Sequence, residues 1–190
     1  MTTKEKHHWL ENDFRYNNLK TLFLKYDEVI DENKKNCYYD LYWDETYLIY
    51  GIMLISLQNY INQNCRDFLD SNMFKKNDKS SYYKIHSKEI KNGVTQIELI
   101  NHLANYFKHS DDYNYLHIYT FTCLKDVGLI KINDTKEIEL KKRKEQRFEY
   151  DILIEGINMI VPLENSMTNL LDITKLWREE VWRQYYTEKE

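Results

Sequence analysis

Four glycines and one proline are all that interrupt 190 residues. Those two residue types supply most tight turns and breaks, so a chain this poor in them reverses direction rarely and favours long elements. Helices satisfy that constraint more easily than the many short strands of a sandwich. A 42% hydrophobic content, including 15% aromatics, is enough to fill one sizeable core. The expected fold is mainly α: one helical domain over residues 1–190, a bundle of about five helices.

Charge narrows the functions. With 27 basic and 31 acidic side chains the net charge is −4, which provides no global basic field for nucleic acid, so no direct nucleic-acid partner is expected. Cys37, Cys65 and Cys123 are odd in number and far apart, which suits reduced thiols in a cytosol better than a disulfide framework. The N-terminal MTTKEKHHWLENDF has no signal-peptide core, and the longest apolar run, Tyr47 to Leu57, is too short for the roughly 20 residues that span a bilayer. A soluble, cytoplasmic protein without a membrane partner is expected. The wealth of Lys, Asn, Ile and Tyr is what an AT-rich bacterial genome produces.

Apolar spacing places the helices. From about Asp13 to Asp31, Leu19, Leu22, Phe23, Tyr26, Val29 and Ile30 recur at three- and four-residue intervals, which predicts an amphipathic helix. After the polar DENKKN comes a Tyr/Trp-rich turn. A long central helix follows from Asp44 to about Leu69, with Leu48, Gly51, Leu54, Leu57, Ile61, Cys65 and Phe68 or Leu69 as its stripe. The segment KKNDKSSYYKIHSKEIKNG reads as a loop with one short helical turn. Thr95 followed by Glu98 is a capping box, and Val94 and Leu99 flank it as a hydrophobic staple, so a helix starts at Gln96 and runs to about Lys108. Another follows from Leu116 to Val127, closed by Gly128 in a left-handed conformation.

Between Ile130 and Pro162 the period changes. Alternation of Phe148, Tyr150, Ile152 and Ile154, then a turn at Gly156, predicts short strands, with a β-hairpin near residues 147–161; KEIELKKRKEQRFEYDIL also admits a helical reading. A last helix, capped by Ser166 or Asn165, carries Leu170, Ile173 or Thr174, Trp177, Val181 and Tyr185 as its stripe.

No motif for chemistry emerges. His102 and His109 stand seven residues apart, on one helix face, but without a Cys or carboxylate at ligand spacing no metal is expected, and neither is a cofactor. Phosphate loops, a GxSxG elbow and an HExxH pair are absent, so no catalytic residue is nominated and the chain is read as a non-enzyme.

One run carries a resemblance. LANYFKHSDD, residues 103–112, resembles the helix end with an Asn-x-x-Lys-His core in all-α bacterial proteins of the HEPN (higher eukaryotes and prokaryotes nucleotide-binding) group, which includes immunity proteins of toxin systems. The resemblance implies an all-α fold and maps onto Asn105, Lys108, His109 and Asp111. Many members are RNases with an arginine four to six residues before a histidine. That pattern is missing here: Arg15 and Arg66 have no histidine at that distance, and every other arginine follows His117. The four matching residues then read as structural, Lys108 and His109 near free helix carbonyls and Asp111 as a cap for the next turn.

A candidate binding surface lies earlier. Asp27, Glu28, Asp31, Glu32, Asp40, Asp44 and Glu45 face only Lys34 and Lys35 in sequence, an excess of five negative charges, and Tyr38, Tyr39, Tyr42 and Trp43 lie among them. Acids steer a basic partner and rigid aromatics anchor it. The competing reading turns the aromatics into the core and leaves the acids as a solvated rim. A basic cluster, Lys141, Lys142, Arg143, Lys144 and Arg147, is diluted by Glu139 and Glu145.

Together these observations lead to an expected immunity protein of a bacterial toxin system, of the contact-dependent growth inhibition type. It would bind its cognate toxin domain, a basic nuclease such as an RNase, and inhibit it by occluding the active site. The alternatives are a divergent HEPN-like RNase using His102, His109 or Lys108, and an antitoxin or phage-defence accessory protein that oligomerises through the central helix.

Overall fold

The longest apolar stripe in the sequence becomes the axis of the structure. The computed structural model describes residues 13–36, 39–71, 78–109, 116–131, 150–162 and 166–187. Within them the fold is mainly α: six helices and one small two-stranded hairpin. The axis helix, Tyr39–Asp70, has 32 residues, about 48 Å at 1.5 Å per residue, so it is long enough to pack against four other helices. Its Leu54, Leu57, Ile61, Cys65 and Phe68 are fully buried, whereas Leu48, expected in the same stripe, is 56% exposed.

The helix before it, α1 (Phe14–Asn36), lies against this axis helix, α2, and continues past Asp31, so the polar DENKKN is helical. Lys34 and Lys35 fall in its last turn, where cations suit the free carbonyls. The aromatic-rich stretch expected as a turn forms the first turns of α2. Tyr16, Phe23 and Ile30, spaced by seven, fix the buried meridian of α1. Leu22 and Val29 each precede a buried residue by one position and are therefore rotated about 100° away from it. They are 38% and 41% exposed, not core as their spacing predicts.

A 3-10 turn (Lys79–Tyr82), capped by Asp78, leads into the hairpin β1 (Glu89–Lys91) and β2 (Val94–Thr95). The short helical turn predicted here is present; the hairpin was not foreseen, although Asn92-Gly93 is the dipeptide that a tight two-residue reversal demands. Both residues have positive φ, 50° and 78°, as a type I′ turn requires, and Lys91 pairs with Val94 across it.

Helix α3 (Gln96–Lys108) starts at the predicted residue, with both halves of the capping box formed: Glu98 N–H donates to Thr95 Oγ1 at 3.3 Å, and Thr95 N–H donates to Glu98 Oε2 at 3.1 Å. Helix α4 (Ile118–Val127) closes at Gly128 with φ 91°, and Lys91 Nζ and Asn92 Nδ2 donate to the carbonyls of Val127 and Asp126. The hairpin thus caps the C-terminal end of α4.

Residues 150–160, predicted as part of a hairpin, are helical instead: α5 is Tyr150–Ile160. Residues 147–149 of that predicted hairpin lie outside the described residues. Ile152, Leu153, Ile157 and Ile160 are buried along one helical face, a period of three and four that coexisted with the alternation of the isoleucines. Tertiary packing overrides the β preference of those residues. Gly156 sits where a Cβ would stand 2.5 Å from the buried Leu103 of α3, so α5 can approach closely only through a glycine. Helix α6 (Thr168–Thr187) buries Leu170, Thr174, Trp177, Val181 and Tyr185 as the spacing predicts.

The start of α6 is capped partly from another helix. Ser166 accepts from Thr168 N–H at 3.1 Å, and the Asp27 carboxylate of α1 accepts from Met167 N–H at 2.8 Å, from Thr168 Oγ1 at 2.8 Å and from Ser166 Oγ. Replacing Gly156 by alanine should lower stability by about 1–3 kcal/mol through overpacking, even though alanine is the better helix former. Chemical denaturation of Gly156→Ala, alone and with Leu103→Ala, checks this, because the smaller side chain at position 103 should remove most of the penalty.

Candidate functional site

Described residues of the LANYFKHSDD stretch brace α3 against its neighbours. In α3, Leu103 faces Gly156 of α5, and the Phe107 ring lies against Gly51 of α2, where a Cβ would stand 2.1 Å away. The Tyr47 ring packs on Phe107 with centroids 5.3 Å apart. Beside this contact, Gln58 of α2 is 3% exposed and reaches into α3: its Nε2 lies 2.8 Å from Asn105 Oδ1 and 3.0 Å from both the side-chain and backbone oxygens of Asn101. Its Oε1 accepts from Lys108 Nζ. Asn105 and Lys108 are thus held by a buried amide, and His109 is the C-cap residue of α3, its backbone N–H donating to the Asn105 carbonyl. Asp111 lies outside the described residues.

The two histidines expected on one face have different surroundings. His102 Nδ1 is 3.2 Å from Thr120 Oγ1 in α4, and burial, reinforced by nearby His117, lowers its pKa from 6.5 to about 4. His109 is exposed at the helix end. Cys65 and Cys123 are buried, and burial pushes both thiols up to about 12, where they are poor nucleophiles and poor metal ligands. Among the described residues no three His, Cys, Asp or Glu side chains are grouped to hold a metal ion.

The acidic stretch divides. Asp27 is drawn into the cap of α6 and is half-buried there. Glu28, Asp31 and Glu32 stand on the exposed side of α1; Glu28 pairs with Lys25 at 2.7 Å and Asp31 with Lys34 at 4.0 Å. Those exposed pairs neutralise much of the local field and contribute little to stability. Glu45 is exposed on α2. Tyr39, Asp40, Tyr42, Trp43 and Asp44 fall on the first turns of α2, with side chains outside what the structure describes, and Tyr38 is outside the described residues.

A cluster that the sequence did not reveal joins three helices. Arg178 of α6 is 1% exposed, and its Nε lies 3.3 Å from Asp13 Oδ2 and donates to Asn64 Oδ1 of α2 at 2.9 Å. Asp13 also accepts from the Tyr16 N–H at 3.1 Å, capping α1, and from the Tyr60 hydroxyl. Burial and the neighbouring carboxylate hold the Tyr60 phenol well above the ordinary tyrosine range. At the edge of the cluster Arg15 pairs with Asp67 at 2.5 Å. No local pattern could have exposed these partners, which come from opposite ends of the chain; an arginine inside the apolar stripe of α6, adjacent to Trp177, was the available signal.

The geometry assigns both polar clusters to holding the helices in register, and two substitutions test that assignment. Gln58→Leu leaves the amides of Asn101 and Asn105 without their partner and should cost about 1–3 kcal/mol. Arg178→Met strands the Asp13 carboxylate in the core and should cost about 3–5 kcal/mol, of which Asp13→Asn in the same chain restores part, since asparagine caps a helix as well as aspartate and carries no charge. Both are read by chemical denaturation. Comparisons of the chain with protein-family models, with curated proteins and with solved structures gave no match.

Proposed function

We propose that the protein acts by binding a protein partner, and that the partner is a cognate bacterial toxin domain, a basic nuclease, which it neutralises in the cytoplasm as an immunity protein. The observation that carries this reading is on the α1–α2 pair. Arg15 meets Asp67 at one end, and only residues 37–38 separate the two helices at the other, so they run antiparallel. Leu22, Val29 and Leu48 are between a third and just over a half exposed, while the Tyr16–Phe23–Ile30 meridian of α1 and the Leu54–Phe68 stripe of α2 are buried.

Carboxylates accompany these apolar side chains: Glu28, Asp31 and Glu32 on α1 and Glu45 on α2. Exposed apolar anchors suit a protein partner, with the apolar contacts supplying affinity and the neighbouring carboxylates, of which Glu28 and Asp31 are shared with Lys25 and Lys34, pairing with basic side chains of that partner. Asn105 and Lys108 of the LANYFKHSDD stretch are engaged by the Gln58 amide, which favours binding over an RNase mechanism built on Lys108. No helix among the described residues is long and apolar enough to cross a membrane.

Affinity capture from the native host tests the reading. A basic nuclease should be retained stoichiometrically, its cleavage of RNA should stop when the purified chain is added, and Val29→Asp should weaken both effects by at least about tenfold, the equivalent of 1.4 kcal/mol. The thermal midpoint of that variant should match the parent, because Val29 is exposed. RNA cleavage by the purified chain itself, abolished by His109→Ala, would overturn the proposal in favour of an enzyme.

A further inference from the structure

The first turn of α4 is flanked by two imidazoles. His117 occupies the N-cap position and makes no side-chain capping hydrogen bond, while His102 of α3 reaches Thr120, the third residue of the helix, which is buried. We propose that this turn is an acid-sensitive latch: protonation of His102 releases α4 from α3 before the rest of the fold is disturbed.

The positive end of the α4 dipole lies at this turn, and cations are unfavourable there. Histidine is the side chain whose charge changes nearest neutral pH, so acidification places the full positive charge of His102 beside this partial one. Burial keeps His102 neutral in the closed turn down to about pH 4, whereas a solvated imidazole takes up its proton near pH 6.5, so between those values the proton binds the opened turn and favours opening. The first turn of α4 contains no acid to compensate. On α3 itself, Glu98 lies one turn before His102 but is engaged by Thr95 and by Lys84 at 3.6 Å, and His109 lies two turns beyond.

The other charges on neighbouring elements are remote from this turn in chain position. Lys125 and Asp126 belong to the last turn of α4, Glu89 and Lys91 to the hairpin at that same end, and Glu155 is an exposed residue of α5. Helix α4 is the shortest in the structure as described, with 10 residues, and its packing is on α3 and the hairpin. Releasing its first turn uncovers Phe121, which is buried when the latch is closed.

Amide hydrogen exchange of the full chain at about pH 7 and about pH 5, corrected for intrinsic rates, reads the latch directly. Protection across Phe121–Val127 should fall at least about tenfold more than across Leu54–Phe68 of α2. His102→Gln, which keeps a hydrogen-bonding side chain without the charge, should remove most of that difference. Should that chain fail to fold, His102→Asn, a smaller neutral amide at the same position, should likewise reduce the difference. Uniform loss of protection across all helices, or an acid response unchanged in whichever of these variants folds, would overturn the proposal.

Discussion

A charged guanidinium inside an apolar core is the constraint around which the helices are set. Desolvating Arg178 costs several kcal/mol, and the cost is offset only if a carboxylate and hydrogen-bond acceptors meet it with good geometry. Asp13 and Asn64 do so, one from the beginning of α1 and the other from the last two turns of α2. Packing of apolar side chains tolerates small slides of one helix along another, because leucine against isoleucine has few preferred registers. A buried ion pair tolerates almost none. The placement of α1, α2 and α6 relative to one another therefore follows from this cluster, while the bulk of the stabilisation comes from apolar burial around it.

The second constraint is close approach. Gly51 and Gly156, two of the four glycines, lie at helix interiors, where glycine lowers helix stability by about 1 kcal/mol relative to alanine. Both stand opposite large side chains of α3, Phe107 and Leu103. The loss in helix propensity is compensated by the contact each one permits. Together with the Gln58 amide they make α3 the element on which α2 and α5 converge. The described part of the LANYFKHSDD stretch coincides with that convergence, so Leu103, Asn105 and Phe107 have a packing role.

Local signals in the sequence were legible where the chemistry is local. The Thr95–Glu98 capping box and the Gly128 terminus require only neighbours in the chain, and both occur at the expected residues. The stripe of α2 was readable because Leu54, Leu57, Ile61, Cys65 and Phe68 keep helical spacing without interruption. Misreadings arose where two periods overlapped or where tertiary contacts decide. Ile152 and Ile154 fit a strand as well as a helix, and only Leu103 against Gly156 discriminates. Leu22 and Val29 fit a core stripe, but the meridian chosen by Tyr16, Phe23 and Ile30 turns them outward. Asp27 read as a surface acid because nothing near it in sequence announces the start of α6. Asp13, Tyr60, Asn64 and Arg178 gave no signal as a set, since their association exists only in the folded chain.

The cap that Asp27 provides for α6 has a temporal consequence. During synthesis α1 emerges long before Thr168, so its carboxylate stays in water until the last described helix has left the ribosome. The N-terminal groups of α6 in turn depend partly on a helix made much earlier. Capture of α6 therefore joins the two ends of the described chain in a single late step, which makes closure of the bundle a contact of high sequence separation and tends to slow folding relative to bundles whose caps are all local.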